Sequence, residues 1–194
     1  AKIKTALCSM RAGKTTAIAA DFVADSLLYP ESLMFYLGLT DVTIDKIFKP
    51  AIKPLLEKYA PDARITNDEI KFSNGSIICM FGANHLEKVQ SFHGLKLRKA
   101  GIDEAQSFRK KILNYLVEEV LINRLSDLDG TLYLFGTPAP HCSGLFYDYT
   151  TSPQISTHKW TAFDNPFMKK QWQKTMESTI KRKKIDKTHP MIRR

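Results

Sequence analysis

One eight-residue stretch limits the folds open to this chain more than any other feature. Residues 8–15 read Cys-Ser-Met-Arg-Ala-Gly-Lys-Thr, which matches the pattern G-x-x-x-x-G-K-[ST] except at its first position. A short apolar run at 3–9 precedes the stretch and an alanine-rich run at 13–28 follows it. This order predicts a strand, a tight loop and a helix, the setting in which backbone N–H groups surround the phosphates of a nucleotide.

Each residue type in this loop has a distinct expected task. Gly13 lets the backbone approach a phosphate closely, Lys14 places a charge on the β- and γ-phosphate oxygens, and the Thr15 hydroxyl ligates Mg²⁺. The predicted nucleotide-binding residues are Ser9, Met10, Arg11, Ala12, Gly13, Lys14, Thr15 and Thr16. Cys8 weakens the match, because a cysteine at a position that requires positive φ would cost about 1 kcal/mol or more. Arg11 either reaches the γ-phosphate or is a surface arginine paired with an acid.

An Asp-Glu pair in the segment KAGIDEAQ (99–106) predicts the second half of the site. Asp103 and Glu104 follow a predicted strand, and doubly wound sheets bind ligands at the carboxyl ends of their strands. We expect Asp103 to hold Mg²⁺, largely through water, and Glu104 to polarise an attacking water. The alternative is a helix N-terminus, where the dipole favours acids. The two interpretations are compatible.

The run LYLFGTPAP (132–140) predicts a further strand beside the Asp-Glu strand. Thr137, at its end, is a candidate to hydrogen-bond the hydrolytic water or Glu104, and a plain strand-ending turn is the alternative. Other strands are predicted at 33–40 and 155–163, and helices at 41–60 and 107–125. Asn74-Gly75 is a strong hairpin signal within 63–83. These alternating elements predict an α/β fold with a mostly parallel central sheet flanked by helices and a small antiparallel hairpin insertion.

The basic charge of the chain is concentrated at its end. Residues 169–194 hold ten Lys and Arg against Glu177 and Asp186, whereas residues 1–168 are nearly neutral. Such a segment either attracts polyanions through counterion release or is a solvated helix. The three distant cysteines favour a reducing, intracellular setting. No apolar run approaches the roughly 20 residues that span a bilayer, and we expect the chain to be part of a longer protein.

Four segments, in order, resemble the ATPase domain of tailed-phage terminase large subunits, the motors that pump DNA into a procapsid. They are SMRAGKTT, SFHGLKLRKAGIDEAQ, GTLYLFGTP and WTAFDNPF. The resemblance implies a P-loop NTPase fold with an extra strand between the phosphate loop and the Asp-Glu motif. It implies phosphate and Mg²⁺ binding by Lys14 and Thr15, metal binding by Asp103, and a catalytic base at Glu104. Thr137 would lie in the coupling motif, and Arg11 is the remaining catalytic candidate.

The same resemblance implies the organisation and partners of the chain. Residues 1–166 would be the ATPase domain and residues 167–194 a basic helical linker towards a nuclease domain that this chain does not include, so the chain should not cut DNA. The implied cofactors are ATP and Mg²⁺. The implied partners are double-stranded DNA, a small terminase subunit and identical subunits in a ring on a portal, with a monomer when isolated. The expected location is the host cytoplasm, without membrane attachment.

One departure from the family concerns the arginine finger, the arginine that reaches a neighbouring subunit's ATP. The family often has this arginine just before the glycine of the SFHG segment, where this chain has His93. A neutral imidazole does not replace a guanidinium, so Arg98 or Arg124 would have to serve instead. Because a finger contributes about 10³–10⁵ in rate, the isolated chain should be a slow ATPase.

Other functions explain fewer of these features. A helicase-like DNA-stimulated ATPase is the alternative, but the chain lacks a second helicase core. A small-molecule kinase would require an arginine-rich lid, and no guanine-reading N-K-x-D or T-K-x-D motif is present. A non-enzymatic DNA-binding module accounts for the basic segment but not for the ordered motifs.

Overall fold

A single eight-stranded sheet organises the chain. The computed structural model describes residues 2–82, 94–138 and 143–184. The strands are β1 (Lys2–Cys8), β2 (Leu33–Gly38), β3 (Arg64–Ile65), β4 (Glu69–Lys71), β5 (Ile77–Gly82), β6 (Lys99–Ile102), β7 (Thr131–Gly136) and β8 (Ser156–Trp160). Their order across the sheet is β3-β4-β5-β2-β6-β7-β1-β8.

The sheet is mostly parallel, as the sequence predicts. Strands β5, β2, β6, β7, β1 and β8 are parallel to one another. β4 is antiparallel to both β3 and β5. The predicted hairpin around Asn74-Gly75 is therefore confirmed, and its second strand, β5, joins the central sheet against β2. One strand, β7, lies between the phosphate-loop strand β1 and the Asp-Glu strand β6, in agreement with the extra strand that the resemblance implies.

The helices cover the two faces of the sheet. They are α1 (Lys14–Leu28), α2 (consecutive segments Asp41–Thr43, Ile44–Phe48 and Lys49–Tyr59), α3 (Lys110–Asn114, Tyr115–Leu121 and Ile122–Ser126), α4 (Leu145–Thr151) and α5 (Lys169–Lys183). The middle segments of α2 and α3 are π-helical. No sequence signal predicted α4. Two prolines, Pro50 and Pro54, predict a kink or a split in α2, but the helix continues past both. Pro50 lies at the start of the segment Lys49–Tyr59, directly after the π-helical segment, and Pro54 lies inside it.

The core lies in two layers because the central strands are buried on both faces. In β2, Met34 and Tyr36 pack with Phe22 of α1 and with α2, whereas Phe35 and Leu37 pack on the opposite face with α3. This alternation follows from the two-residue period of a strand. Among the described residues, no helix is long and apolar enough to cross a membrane.

The topology places the predicted motifs together. β7 lies between β1 and β6 and is parallel to both. The carboxyl ends of these three strands therefore meet at one edge of the sheet. The residues that follow them are the phosphate loop, the Asp-Glu pair and Thr137.

Candidate active site

The phosphate loop has the backbone geometry that its chemistry requires. Arg11 and Gly13 have left-handed φ angles of 62° and 89°. Alternating right- and left-handed residues turn successive N–H groups toward one concave surface, a common anion site. α1 begins directly after Gly13 and has no acid in its first turn, so the positive end of its dipole is available to a phosphate.

The strain expected at Cys8 is found elsewhere. Cys8 is the last residue of β1, is fully buried and has no positive φ. The non-glycine residue of the loop in the left-handed region is Arg11, at a cost of about 1–2 kcal/mol. The missing first glycine therefore does not distort the loop, and Cys8 acts as a core residue at the end of its strand.

Lys14 joins the three predicted motifs. Its ammonium nitrogen lies 2.7 Å from Glu104 Oε1 and donates a hydrogen bond to Thr137 Oγ1 at 3.0 Å. The Lys14 residue is 8% exposed, whereas the Glu104 side chain is 39% exposed. Residues far apart in sequence thus meet through one buried cation. The prediction that Glu104 and Thr137 lie beside the phosphate loop agrees with this geometry.

Thr15 and Asp103 form the oxygen-rich side of the site. Thr15 Oγ1 lies 3.5 Å from Asp103 Oδ2, which also accepts a hydrogen bond from the Tyr36 hydroxyl at 2.9 Å. Asp103 Oδ1 accepts the Glu104 backbone N–H at 2.9 Å. Burial raises the pKa of the Asp103 carboxyl above its usual range, opposed by the Tyr36 hydrogen bond and reinforced by the charge of Glu104.

Mg²⁺ fits these donors. A hydroxyl and a carboxylate oxygen are ligands that Mg²⁺ accepts alongside phosphate oxygens and water. Within the described residues, no group of three or more His, Cys, Asp or Glu side chains could hold a metal. Thr15 and Asp103 would therefore hold the ion through few protein ligands, as is usual when a nucleotide supplies the others.

Gln106 is a site residue that sequence reasoning missed. Its side-chain amide donates to Glu104 Oε2, and its carbonyl oxygen accepts the Thr137 backbone N–H at 3.1 Å. It thereby links the candidate base to the end of β7. A Cβ on Gly136 would come within 2.6 Å of the Phe146 ring and would also collide with the Gln106 carbonyl oxygen. The only sequence signal was the position of Gln106 two residues after Glu104.

Glu104 itself has an unusual backbone. Its φ is 52° and its ψ is 42°, in the left-handed region that non-glycine residues seldom occupy. Such strain persists only where surrounding contacts impose it, and it is common at active sites. Here the contacts of Asp103, Lys14 and Gln106 hold the residue in place.

The other predicted loop residues differ in exposure. Ala12 and Ser9 are buried, and Met10 is 60% exposed. Arg11 and Thr16 are exposed. Within the described part of the chain, the Arg11 guanidinium makes no ion pair with an acid. The surface-pair alternative thus finds no support there, and a phosphate role stays a prediction.

The two substitute arginine fingers lie away from the loop. The Arg98 guanidinium is 3.7 Å from the Tyr29 ring centroid, before the start of β6. Arg124 is 8% exposed, and burial lowers its pKa. Burial argues against Arg124 as a finger that reaches another subunit. His93 lies outside the described residues.

The sequence as a whole matches one protein family. A family model described as the phage terminase large subunit matches residues 1–191. The chain belongs to this terminase family. The resemblance inferred from its motifs is confirmed, and with it the assignment to ATP-driven packaging of phage DNA. A search of curated proteins found no match.

Solved structures of packaging proteins share the terminase fold. The large terminase ATPase domain of Thermus phage P74-26 is 17% identical, with a TM-score of 0.65 over 89% of this chain and 80% of that one. A large terminase from a thermophilic bacteriophage is 19% identical, with a TM-score of 0.67 over 88% of this chain and 44% of that one. The N-terminal domain of the bacteriophage phi29 DNA packaging ATPase is 11% identical, with a TM-score of 0.61 over 84% and 92%. This chain spans less than half of the large terminase from the thermophilic bacteriophage. The likeness to these structures confirms the predicted P-loop NTPase-like α/β fold.

Proposed function

We propose that this terminase chain hydrolyses Mg²⁺-bound ATP and couples hydrolysis to the movement of double-stranded DNA into a procapsid. The observation that carries the proposal is the meeting of Lys14, Glu104 and Thr137 at the edge where α1 begins. A phosphate loop alone would support nucleotide binding. A carboxylate held beside it supports hydrolysis.

The geometry suggests how the residues divide the reaction. Lys14 would bind β- and γ-phosphate oxygens, which compete with the Glu104 carboxylate for its ammonium. Glu104 would then accept a proton from the attacking water. Mg²⁺ held by Thr15 and Asp103 would neutralise charge on the transferred phosphoryl group. Thr137 contacts Lys14 and reaches Glu104 through Gln106, so it is placed to respond to the loss of the γ-phosphate.

The role of Glu104 is tested by Glu104→Gln. The amide keeps the shape of the side chain but cannot act as a base, so ATP affinity should persist while turnover falls at least about 10²-fold. Glu119→Gln is the matched control, because Glu119 is an exposed acid on α3. Normal turnover in Glu104→Gln would refute the base assignment.

The role of the loop is tested by Lys14→Ala. Removal of the buried cation that joins the three motifs should abolish nucleotide binding, measured by titration with a fluorescent ATP analogue. Lys53→Ala, an exposed lysine on α2, controls for the loss of one positive charge. Unchanged affinity in Lys14→Ala would count against the phosphate-loop interpretation.

The proposal extends to organisation and partners. Residues 1–166 would be the ATPase domain, and residues 167–194 would be a linker towards a nuclease domain outside this chain. The chain itself would not cut DNA. We propose that it is monomeric when isolated, forms a ring on a portal with a small terminase subunit as partner, and acts in the host cytoplasm.

ATP turnover with duplex or single-stranded DNA, measured beside a procapsid packaging assay, tests the coupling of hydrolysis to DNA movement. Stimulation by single strands alone would favour the helicase-like alternative.

A further inference from the structure

The last residue of β8 and the segment that follows it contact the phosphate loop. The Trp160 indole N–H donates to the Ala12 carbonyl oxygen at 3.1 Å, and the Asn165 amide donates to the Arg11 carbonyl oxygen at 3.1 Å. The Ala162 backbone N–H donates to Ser9 Oγ at 2.8 Å. Two of these bonds thus join consecutive carbonyls of the loop, those of Arg11 and Ala12, to residues about 150 positions away in sequence.

These bonds fix the orientation of the loop's peptide planes. In a trans peptide the C=O and the following N–H point in opposite directions. Because the Ala12 carbonyl faces Trp160, the Gly13 N–H of the same peptide points away from Trp160. Likewise, the Arg11 carbonyl faces Asn165, and this bond fixes the peptide that follows the strained φ of Arg11.

Asn165 is itself held firmly. Its Oδ1 accepts the Phe167 N–H at 3.1 Å, and its own backbone N–H donates to the Ala162 carbonyl at 3.3 Å. Its amide nitrogen would lie only 3.4 Å from a Cβ placed on Gly13. The carboxamide therefore has little freedom to turn away from the loop.

We propose that Trp160 and Asn165 are positioning residues for nucleotide binding. They set the direction of the Gly13 N–H and the left-handed turn at Arg11 without touching the nucleotide. The inference rests on the proposed ATP-binding function and deepens it. Loss of either donor leaves the loop free to reorient its peptides, so ATP and ADP should bind more weakly, while turnover at saturation should be largely retained.

The test compares two variants that remove these donors with two matched controls. Trp160→Phe removes the indole N–H and keeps an aromatic ring, and Trp172→Phe makes the same change on α5. Asn165→Leu removes the amide, and Asn123→Leu removes an amide that donates to a carbonyl within α3. The measurements are dissociation constants for a fluorescent ATP analogue, ADP competition, KM, kcat and melting temperature.

Trp160→Phe and Asn165→Leu should each weaken ATP and ADP binding about fivefold to tenfold and raise KM, with kcat within twofold and a melting temperature no more than about 4 °C below that of the wild type. The controls should bind like the wild type. Wild-type affinity in both donor variants, or an affinity loss equalled in the controls, would overturn the inference and leave the ATPase proposal intact. Failure of the wild type to bind ATP would overturn both.

Discussion

Asp103 shows how one residue combines a chemical role with a cost of burial. The residue is 7% exposed, and burial raises the pKa of its carboxyl. An unfolded chain releases this proton near pH ~3.9. Because the folded chain holds the proton to higher pH, the free energy of unfolding falls as pH rises from that value through the raised pKa. Above this window the ionised group destabilises the fold, although only that form suits Mg²⁺.

We therefore expect Asp103→Asn to raise the free energy of unfolding at pH 7 in the absence of Mg²⁺. The amide is nearly isosteric and avoids a buried charge, so the variant should be more stable but should bind Mg²⁺ less well. Urea unfolding at pH 4 and pH 7 measures the change, which should be largest at the higher pH. Asp148→Asn, on α4, serves as the control. A loss of stability at pH 7 would show that the carboxylate's hydrogen bonds outweigh its burial.

Gln106 lends itself to a second prediction at this scale. We expect Gln106→Leu to lower kcat by about 10²-fold, because Glu104 loses the amide that orients it and small misplacements of a catalytic group are costly. ATP affinity should change little, since Gln106 contacts Glu104 and Thr137 rather than the loop.

Steady-state ATPase rates and ATP titrations separate these two effects of Gln106→Leu. Gln173→Leu, on α5, is the control because that side chain bonds only to its own helix in the described structure. A drop in affinity with unchanged kcat would assign Gln106 to binding instead of to orientation of the base.

At the scale of elements, β6 and α1 are joined by an ion cluster beneath the site. Lys99 is 3% exposed, and its ammonium lies 2.5 Å from Asp21 and 2.8 Å from Asp25. A lysine inside a predicted buried strand is unexpected from the sequence alone. The structure explains it, because α1 supplies two carboxylates to the one charged side chain of the strand.

Lys99→Met should lower the free energy of unfolding by about 2–3 kcal/mol, because both carboxylates lose their partner. The value lies below that of a fully buried pair, since Asp21 and Asp25 remain partly hydrated. Lys53→Met breaks an exposed pair with Glu57 and should cost less than about 1 kcal/mol. Equal effects of the two substitutions in urea unfolding would contradict a structural role for the cluster.

The elements also show what the sequence could and could not predict. The Gly-Lys-Thr and Asp-Glu motifs identified strand ends, and parallel pairing made their meeting predictable. The sequence predicts no role for Gln106, Trp160 or Asn165, because each makes a contact with a backbone group that is distant in sequence. The sequence pattern predicts strain at Cys8, whereas the structure has it at Arg11, because a pattern position does not show which loop residue takes the left-handed conformation. The short helix α4 had no periodic signal.

At the scale of the whole molecule, most of the excess positive charge lies on a different element from the candidate active site. The site lies at the carboxyl edge of the sheet, whereas α5 carries six basic side chains and one acid and has no buried residue. It follows directly after the segment that contacts the phosphate loop. This placement makes α5 a candidate surface for duplex DNA, in keeping with a packaging function.

Replacing Lys170, Lys174 and Lys181 of α5 with Gln should weaken binding to a short DNA duplex. Each lost phosphate contact should also reduce the slope of log affinity against log salt by about 1. The matched control replaces Lys46, Lys53 and Lys58, exposed lysines of α2, and changes the net charge equally. Fluorescence anisotropy from 50 to 200 mM salt, roughly the range over which phosphate contacts dominate affinity, measures both variants. Equal losses would show that only net charge matters, and no loss in the α5 variant would place the DNA contact elsewhere.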